Sequence, residues 1–232
     1  VIRLLINVEG QTEETFVNEV LSGHLYKKGY GKVSARIFGN ARQRNRRGGV
    51  GSWQSISEEF IRQLSQDEQI YVTTMVDFYG MPAIGNQSWP GREEAKRIPS
   101  SIDKARHVEK SMHGDIVQRM GAEFNSKRFV PFTLIHEFES LLFSDCDVFL
   151  DSINNREFVS QFKSIRNGFA TPEDINDSPE TAPSKRILSI MKDYEKPIMG
   201  NIGILGIGLD KIRSECPHFN EWVTKLESLA TK

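Results

Sequence analysis

Glu9, Asp77 and Glu137 each close or directly follow an apolar run that reads as a β-strand. Glu13 lies one helical turn beyond Glu9, and Glu139 two residues beyond Glu137. If those strands run parallel, their carboxyl ends share one edge, where open α/β sheets bind ligands. Carboxylates gathered on one edge repel each other and call for a cation. Hard oxygen donors without accompanying thiols favour Mg²⁺ or Mn²⁺ over zinc. Each acid also has a plain structural role open to it. Glu13 and Glu14 fall where a helix dipole favours negative charge, and a strand-end aspartate is a common turn former.

The elements that must position these groups show as alternating strand and helix patterns. Residues 2–8 form a nearly continuous apolar run, the signature of a strand covered on both faces. Gly10 ends it, and Thr12 is placed to cap a helix carrying Phe16, Val17, Val20 and Leu21 at helical spacing. Residues 32–38, 70–76 and 129–135 supply further strands, the last leading directly into a helix begun by His136-Glu137-Phe138-Glu139. Ser55 and Ser57 open a helix bearing Ile56, Phe60, Ile61 and Leu64, and residues 100–121 are helical and amphipathic. The expected fold is α/β, a parallel sheet of about four strands flanked by helices. Residues 1–150 are its core. Residues 151–232 form a helical extension packed on that core, within a single domain.

A chain of 232 residues suits one such domain. Its net charge of −1 hides an uneven distribution. Residues 20–57 contain no acid but include Lys27, Lys28, Lys32, Arg36, Arg42, Arg44, Arg46 and Arg47, so that segment carries +8 and the remainder −9. Arg42, Arg44, Arg46 and Arg47 lie in a glycine- and asparagine-rich stretch, and their forked guanidinium groups suit phosphates. Lys185 and Arg186 are weaker candidates for the same role. No apolar run approaches a membrane span, and the chain opens on a strand without a charged leader. Cys146 and Cys216 are far apart and outside metal-ligand spacing, which points to a reducing cytoplasm.

Several local strings carry a family resemblance. Leu5-Ile6-Asn7-Val8-Glu9-Gly10-Gln11-Thr12-Glu13-Glu14 resembles the opening of Toprim domains, particularly those of overcoming-lysogenization-defect nucleases. Met75-Val76-Asp77-Phe78-Tyr79-Gly80-Met81-Pro82 resembles a Toprim-like bacterial group catalogued as domain of unknown function 4276. So do Arg128-Phe129-Val130-Pro131-Phe132 with His136 through Phe143, and Cys216-Pro217-His218-Phe219-Asn220-Glu221-Trp222. The resemblance implies a Toprim-like fold that binds Mg²⁺ for phosphodiester chemistry. It places Glu9 as the Toprim glutamate, Glu13 as the second glutamate of the nuclease-type motif and Asp77 as the first aspartate of D-x-D. Glu137 and Glu139 stand where later metal-binding acids belong. Tyr79 replaces the second aspartate, so the resemblance implies one or two metal positions, or a degenerate site.

The leading reading is therefore a Mg²⁺- or Mn²⁺-dependent nuclease acting on DNA or RNA. Glu9, Asp77 and one of Glu137 or Glu139 hold the ion that polarises a phosphate oxygen and activates water. Glu13 serves a second ion, and His136 is a candidate proton shuttle or a strand-end histidine bonded to backbone. The resemblance also implies a partner ATPase, a homo-oligomer as one assembly, and a setting in phage defence or DNA processing. A second reading is a non-catalytic accessory subunit of an ATPase complex with a degenerate site. There, Trp53, Trp89 and Trp222 serve as interface anchors or core residues. Phosphoryl or nucleotidyl transfer on a smaller substrate is a third. No phosphate-cradling G-x-x-x-x-G-K-[ST] motif occurs, so ATP hydrolysis by this chain is not expected.

Overall fold

The computed structural model describes residues 1–38, 50–176 and 179–230. Strand β1 (Arg3–Val8) is followed by α1 (Gln11–Phe16), a π-helical turn (Val17–Leu21) and α2 (Ser22–Lys27), then β2 (Lys32–Ile37). Next come α3 (Trp53–Gln66), β3 (Ile70–Asp77), α4 (Ser101–Met120), β4 (Phe129–Val130) and β5 (Thr133–Leu134). The chain ends in helices α5 (Cys146–Ser152), α6 (Val159–Asn167), α7 (Pro183–Ile190), α8 (Asn201–Ile207), α9 (Leu209–Glu215) and α10 (Pro217–Ala230). Among the described residues no helix is long and apolar enough to cross a membrane.

All pairings are parallel, in the order β2-β1-β3-β4, with β5 continuing beside β3. This is the expected α/β architecture. The register sets Val8 opposite both Ile37 and Met75, and Asp77 opposite Leu134. The chain leaves β1 toward β2 on one side and returns to β3 on the other. The carboxyl ends of β1 and β3 therefore flank the point where strand order reverses.

The sheet is buried from both sides, which explains the nearly unbroken apolar runs of β1 and β3. Leu4, Ile6, Val8, Met75 and Val130 join one apolar cluster with Phe16, Leu21, Phe149, Ile204, Phe219 and Trp222. Val72, Val76 and Phe129 join the other, with Trp53, Phe60, Trp89, Val108 and Met112. The C-terminal helices thus cover the same face as α1 and α2. Between the sheet and α3, the amides of Asn7 and Gln63 exchange two hydrogen bonds, 3.0 and 3.1 Å long. Such a buried polar pair is stable because each group satisfies the other. All three tryptophans are interior, at 7, 2 and 4% exposure for Trp53, Trp89 and Trp222, and are core residues rather than surface anchors.

Three local expectations are corrected. α1 starts at Gln11 with Gly10 at its cap, and Thr12 is buried inside the helix instead of capping it. α3 begins at Trp53 because Ser52, ahead of Ser55, accepts the cap bond from the Ser55 N–H. The strand expected over 129–135 is split, because Pro131 has no N–H for the ladder. The Thr74 hydroxyl bridges the gap: it accepts from Phe132 N at 2.8 Å and donates to Phe132 O at 2.7 Å. Thr73 Oγ1 similarly donates to Val130 O and accepts from Trp222 Nε1 at 2.9 Å.

Replacing Thr74 with Val leaves two buried backbone groups of Phe132 without that partner. The expected cost is about 1–3 kcal/mol of unfolding free energy in urea titrations. A change below about 0.5 kcal/mol would show that the hydroxyl does not hold the broken strand.

Candidate carboxylate site

Glu9 follows β1 directly, and Gly10 turns the chain into α1, which brings Glu13 back over the strand end. Asp77 is the last residue of β3 and is 8% exposed. Its backbone N–H lies 3.3 Å from Glu9 Oε2, tying the two strand ends together. Gly80 allows the carboxylate of Glu9 its place, because a β-carbon there would collide with both Glu9 oxygens.

Glu139 enters from the segment after β5. The helix expected from His136 does not form there. His136 adopts φ 69°, a left-handed conformation no α-helix accommodates, and a 3₁₀ turn (Phe138–Ser144) follows instead. The first N–H of that turn, on Phe138, donates to Asp77 Oδ1 at 2.9 Å. The turn carries Glu139 to 1% exposure.

The residue that completes the cluster is Lys196, which opens the π-helical turn Lys196–Gly200 ahead of α8. Its ammonium lies 3.1 Å from Glu139 Oε2 and 3.7 Å from both Glu13 Oε1 and Asp77 Oδ2. These are ionic contacts without aligned hydrogen bonds. Glu13 Oε1 and both Glu139 oxygens are buried with no hydrogen-bond partner, as is the Tyr194 hydroxyl. Sequence reasoning missed Lys196. Its one local signal is a basic residue between Glu195 and Pro197, which nothing in the sequence connects to Glu9 or Asp77.

The electrostatics follow from burial. Desolvation, reinforced by Glu13 and opposed by Lys196, pushes Glu9 up to about 7. Burial likewise raises Asp77 well above the usual carboxylate range, with Lys196 opposing and Glu9, Glu13 and Glu139 adding. Glu139 is raised by burial against the pull of Lys196. Burial alone would lower the Lys196 ammonium, but Asp77, Glu139 and Glu13 outweigh it and hold it above the ordinary lysine value.

The other expected site residues are placed differently. Glu137 is not brought into the group: its carboxylate accepts the Ser184 N–H at 2.8 Å, at the start of α7. His136 is 4% exposed, and burial, aided by Lys104, lowers it to about 4. Its imidazole is thus neutral near pH 7, which removes an imidazolium proton donor. His136 Nδ1 pairs with the Asn176 amide at 3.0 Å, and that amide also donates to the Tyr79 hydroxyl. Tyr79, which the resemblance sets at the place of the second D-x-D aspartate, therefore belongs to a polar pair beside His136, whose ring lies 5.5 Å away. Arg186 is engaged with Thr181 O at 2.8 Å and with the Phe169 ring, whereas Lys185 is exposed. Arg42, Arg44, Arg46 and Arg47 lie outside the described residues. The strand they follow, β2, ends at Ile37 beside Val8, on the edge that carries Glu9.

In donor chemistry the cluster suits a hard divalent cation: it is all oxygen, anionic, and has buried oxygens lacking hydrogen bonds. Among the described residues no three acidic, histidine or cysteine side chains stand in a metal-ligating arrangement. The cation in contact with them is the chain's own ammonium.

A family model described as domain of unknown function (DUF4276) matches residues 8–227. No curated protein matches the chain. Two solved structures are similar, both of the C-terminal region of the Xanthomonas campestris pv. campestris OLD protein. The one phased with iodine is 14% identical, covers 99% of this chain and 96% of that chain, and has a TM-score of 0.42. The one phased with mercury is 11% identical over the same shares, with a TM-score of 0.37.

The raised carboxylates fix the sign of a pH dependence. The folded, metal-free protein keeps protons on Glu9, Asp77 and Glu139 that the unfolded chain releases near 4.5 or below. The contribution of Glu9 to stability is then fully present below the ordinary carboxylate range and is lost as pH rises through about 7, and Asp77 and Glu139 act in the same direction. In EDTA, the melting temperature should fall across that window, by roughly 2–4 °C for each kcal/mol lost. Glu9→Gln, which fixes the neutral form, should fall less steeply. A melting temperature that rises between pH 5 and 8 would contradict the raised values.

Proposed function

The chain belongs to the DUF4276 family, and on that premise we propose that it is a Mg²⁺- or Mn²⁺-dependent nuclease of the Toprim type. The observation that carries this reading is the convergence of Glu9, Glu13, Asp77 and Glu139 at the strand-order reversal of a parallel sheet. Several of their oxygens are buried without hydrogen-bond partners. Buried carboxylates in that state are an unusual expense for a fold unless a ligand uses them.

Glu9, Asp77 and Glu139 would hold a divalent ion, with Glu13 adjoining. When bound, such an ion supplies Lewis-acid polarisation of a phosphate and a water acidic enough to attack it. The protein's own part is positional. The Phe138 N–H fixes one oxygen of Asp77, and the Asp77 N–H orients Glu9. The neutral His136 is held by Asn176 with its Nε2 buried and unpartnered. Since Nδ1 receives the Asn176 hydrogen, the ring proton resides on Nε2, a donor suited to a phosphate or an ordered water rather than a proton reservoir.

Nucleic acid must be drawn to an edge that is itself acidic. β2, the strand that precedes Arg42, Arg44, Arg46 and Arg47 in sequence, ends at Ile37 beside Val8, and this supports a role for those arginines as the phosphate guide. A partner ATPase, with work in phage defence or DNA processing, completes the proposal. One observation favours the accessory reading instead: Lys196 already neutralises part of the cluster, as expected of a site that has lost its metal.

Incubation of the protein with plasmid DNA, single-stranded DNA and tRNA, in Mg²⁺, Mn²⁺ or EDTA, separates these readings. Metal-dependent cleavage is expected, abolished by Glu9→Ala and Asp77→Ala. Glu137→Ala should keep cleavage, at a cost of about 1 kcal/mol for the lost contact at α7. No cleavage of any substrate, with the partner ATPase present, would establish the accessory reading. Replacing Arg42, Arg44, Arg46 and Arg47 together with Ala should weaken binding and reduce the slope of log affinity against log salt by up to about 4. An unchanged slope would remove that segment from the interface.

A further inference from the structure

Lys196 reaches the carboxylates from the surface. Its neighbours Glu195, Pro197 and Ile198 are exposed, while Tyr194 and Gly200, on either side of the turn, are buried. The turn is thus anchored at both ends and open in its middle. The Lys196 side chain itself is 38% exposed, against 3, 11 and 1% for those of Glu13, Asp77 and Glu139. A flexible four-carbon stem rooted at the surface can withdraw its ammonium to water without moving packed groups.

The ammonium stands 3.1–3.7 Å from oxygens of three different acids. A hard divalent ion held by those same oxygens needs distances of about 2.0–2.2 Å and occupies the space between them. Two like-charged cations cannot share that space in a poorly screened pocket. The unpartnered oxygens of Glu13 and Glu139 also show that the ammonium satisfies the acids only in part, as a point charge without aligned hydrogen bonds.

We propose that Lys196 is a resident counter-ion that holds the acidic cluster together in the metal-free protein and is expelled to solvent when a divalent cation enters. The inference rests on the metal-binding reading above and adds an exchange step to it. Metal affinity is then set by competition with a side chain of the same protein, so that the site takes up an ion only where divalent cation outcompetes the tethered ammonium.

Calorimetric titration of the metal-free protein with MnCl₂ tests this, comparing wild type with Lys196→Met, Lys196→Gln and Lys196→Arg. Lys196→Met and Lys196→Gln should bind Mn²⁺ about tenfold more tightly, melt at lower temperature in EDTA, and gain more on adding Mn²⁺. Lys196→Arg, which keeps a tethered cation, should gain no affinity. If Lys196→Met does not fold without metal, recovery of its circular dichroism on refolding in Mn²⁺ supports the exchange, and no recovery counts against it. Mass-spectrometric mapping of lysine acetylation should show Lys196 becoming more reactive when Mn²⁺ is added to the wild type. Mn²⁺ binding by wild type that is unchanged or weakened in Lys196→Met and Lys196→Gln, with Lys196 no more reactive, overturns the exchange and leaves the metal site standing. Failure of every variant to bind Mn²⁺ overturns both.

Discussion

Removing Glu9, Glu13, Asp77 and Glu139 from bulk water sets their charges against one another in a medium that screens them poorly. The folded chain must protonate them, pair them or supply a cation. It does all three in part. Burial raises Glu9, Asp77 and Glu139 toward their neutral forms, backbone N–H groups bond Glu9 and Asp77, and Lys196 approaches three of the four. Each measure is incomplete: Glu13 Oε1 and both oxygens of Glu139 remain buried without a hydrogen-bond partner.

The architecture can be understood as the means of meeting that requirement. β1 and β3 must be adjacent and parallel for Glu9 and Asp77 to meet, and both must be covered on two faces for the meeting place to be buried. α3 and α4 cover one face. The other is covered by α1 and α2 together with the C-terminal helices, so residues far beyond the strands complete the enclosure. This places Lys196, at the head of the turn before α8, beside Glu139 and beside Glu13 and Asp77, which lie more than a hundred residues earlier in the chain. The segment that looks like an appendage in sequence therefore contributes a charge to the site itself.

The 129–144 region shows how backbone constraints direct side chains. Pro131 interrupts the edge strand, Thr74 bridges the gap, and the resumed strand β5 delivers His136 at positive φ. A non-glycine residue in that conformation costs of order 1–3 kcal/mol and is retained when its surroundings over-determine it. Here the turn it creates aims the Phe138 N–H at Asp77 and separates Glu137 from Glu139. Two acids two residues apart thus have different fates, one at the start of a helix and one in the cluster. The Asn176 amide ties the Tyr79 hydroxyl to His136 Nδ1, so Tyr79 is held beside His136.

That Glu9 and Asp77 meet was legible in the sequence because strand periodicity and strand ends are local properties, and parallel sheets collect strand ends on one edge. The same periodicity specified the α/β class and three of the strands closely. The fourth is split in the structure: a proline's missing N–H is a local fact, whereas the bonding of Phe132 by the Thr74 hydroxyl beyond it is a contact across 58 residues. The segment after His136 departs from its helical spacing for a related reason: the apolar spacing of 138–143 fits a helix, but His136 is held in the left-handed region and a 3₁₀ turn follows. Sequence alone determined that Glu9 and Asp77 stand at strand ends and how positive charge is distributed along the chain. The tertiary structure alone decided which of those acids are buried together and which lysine is set against them, because pairing among buried charges depends on distance and dielectric, and neither is a property of sequence spacing.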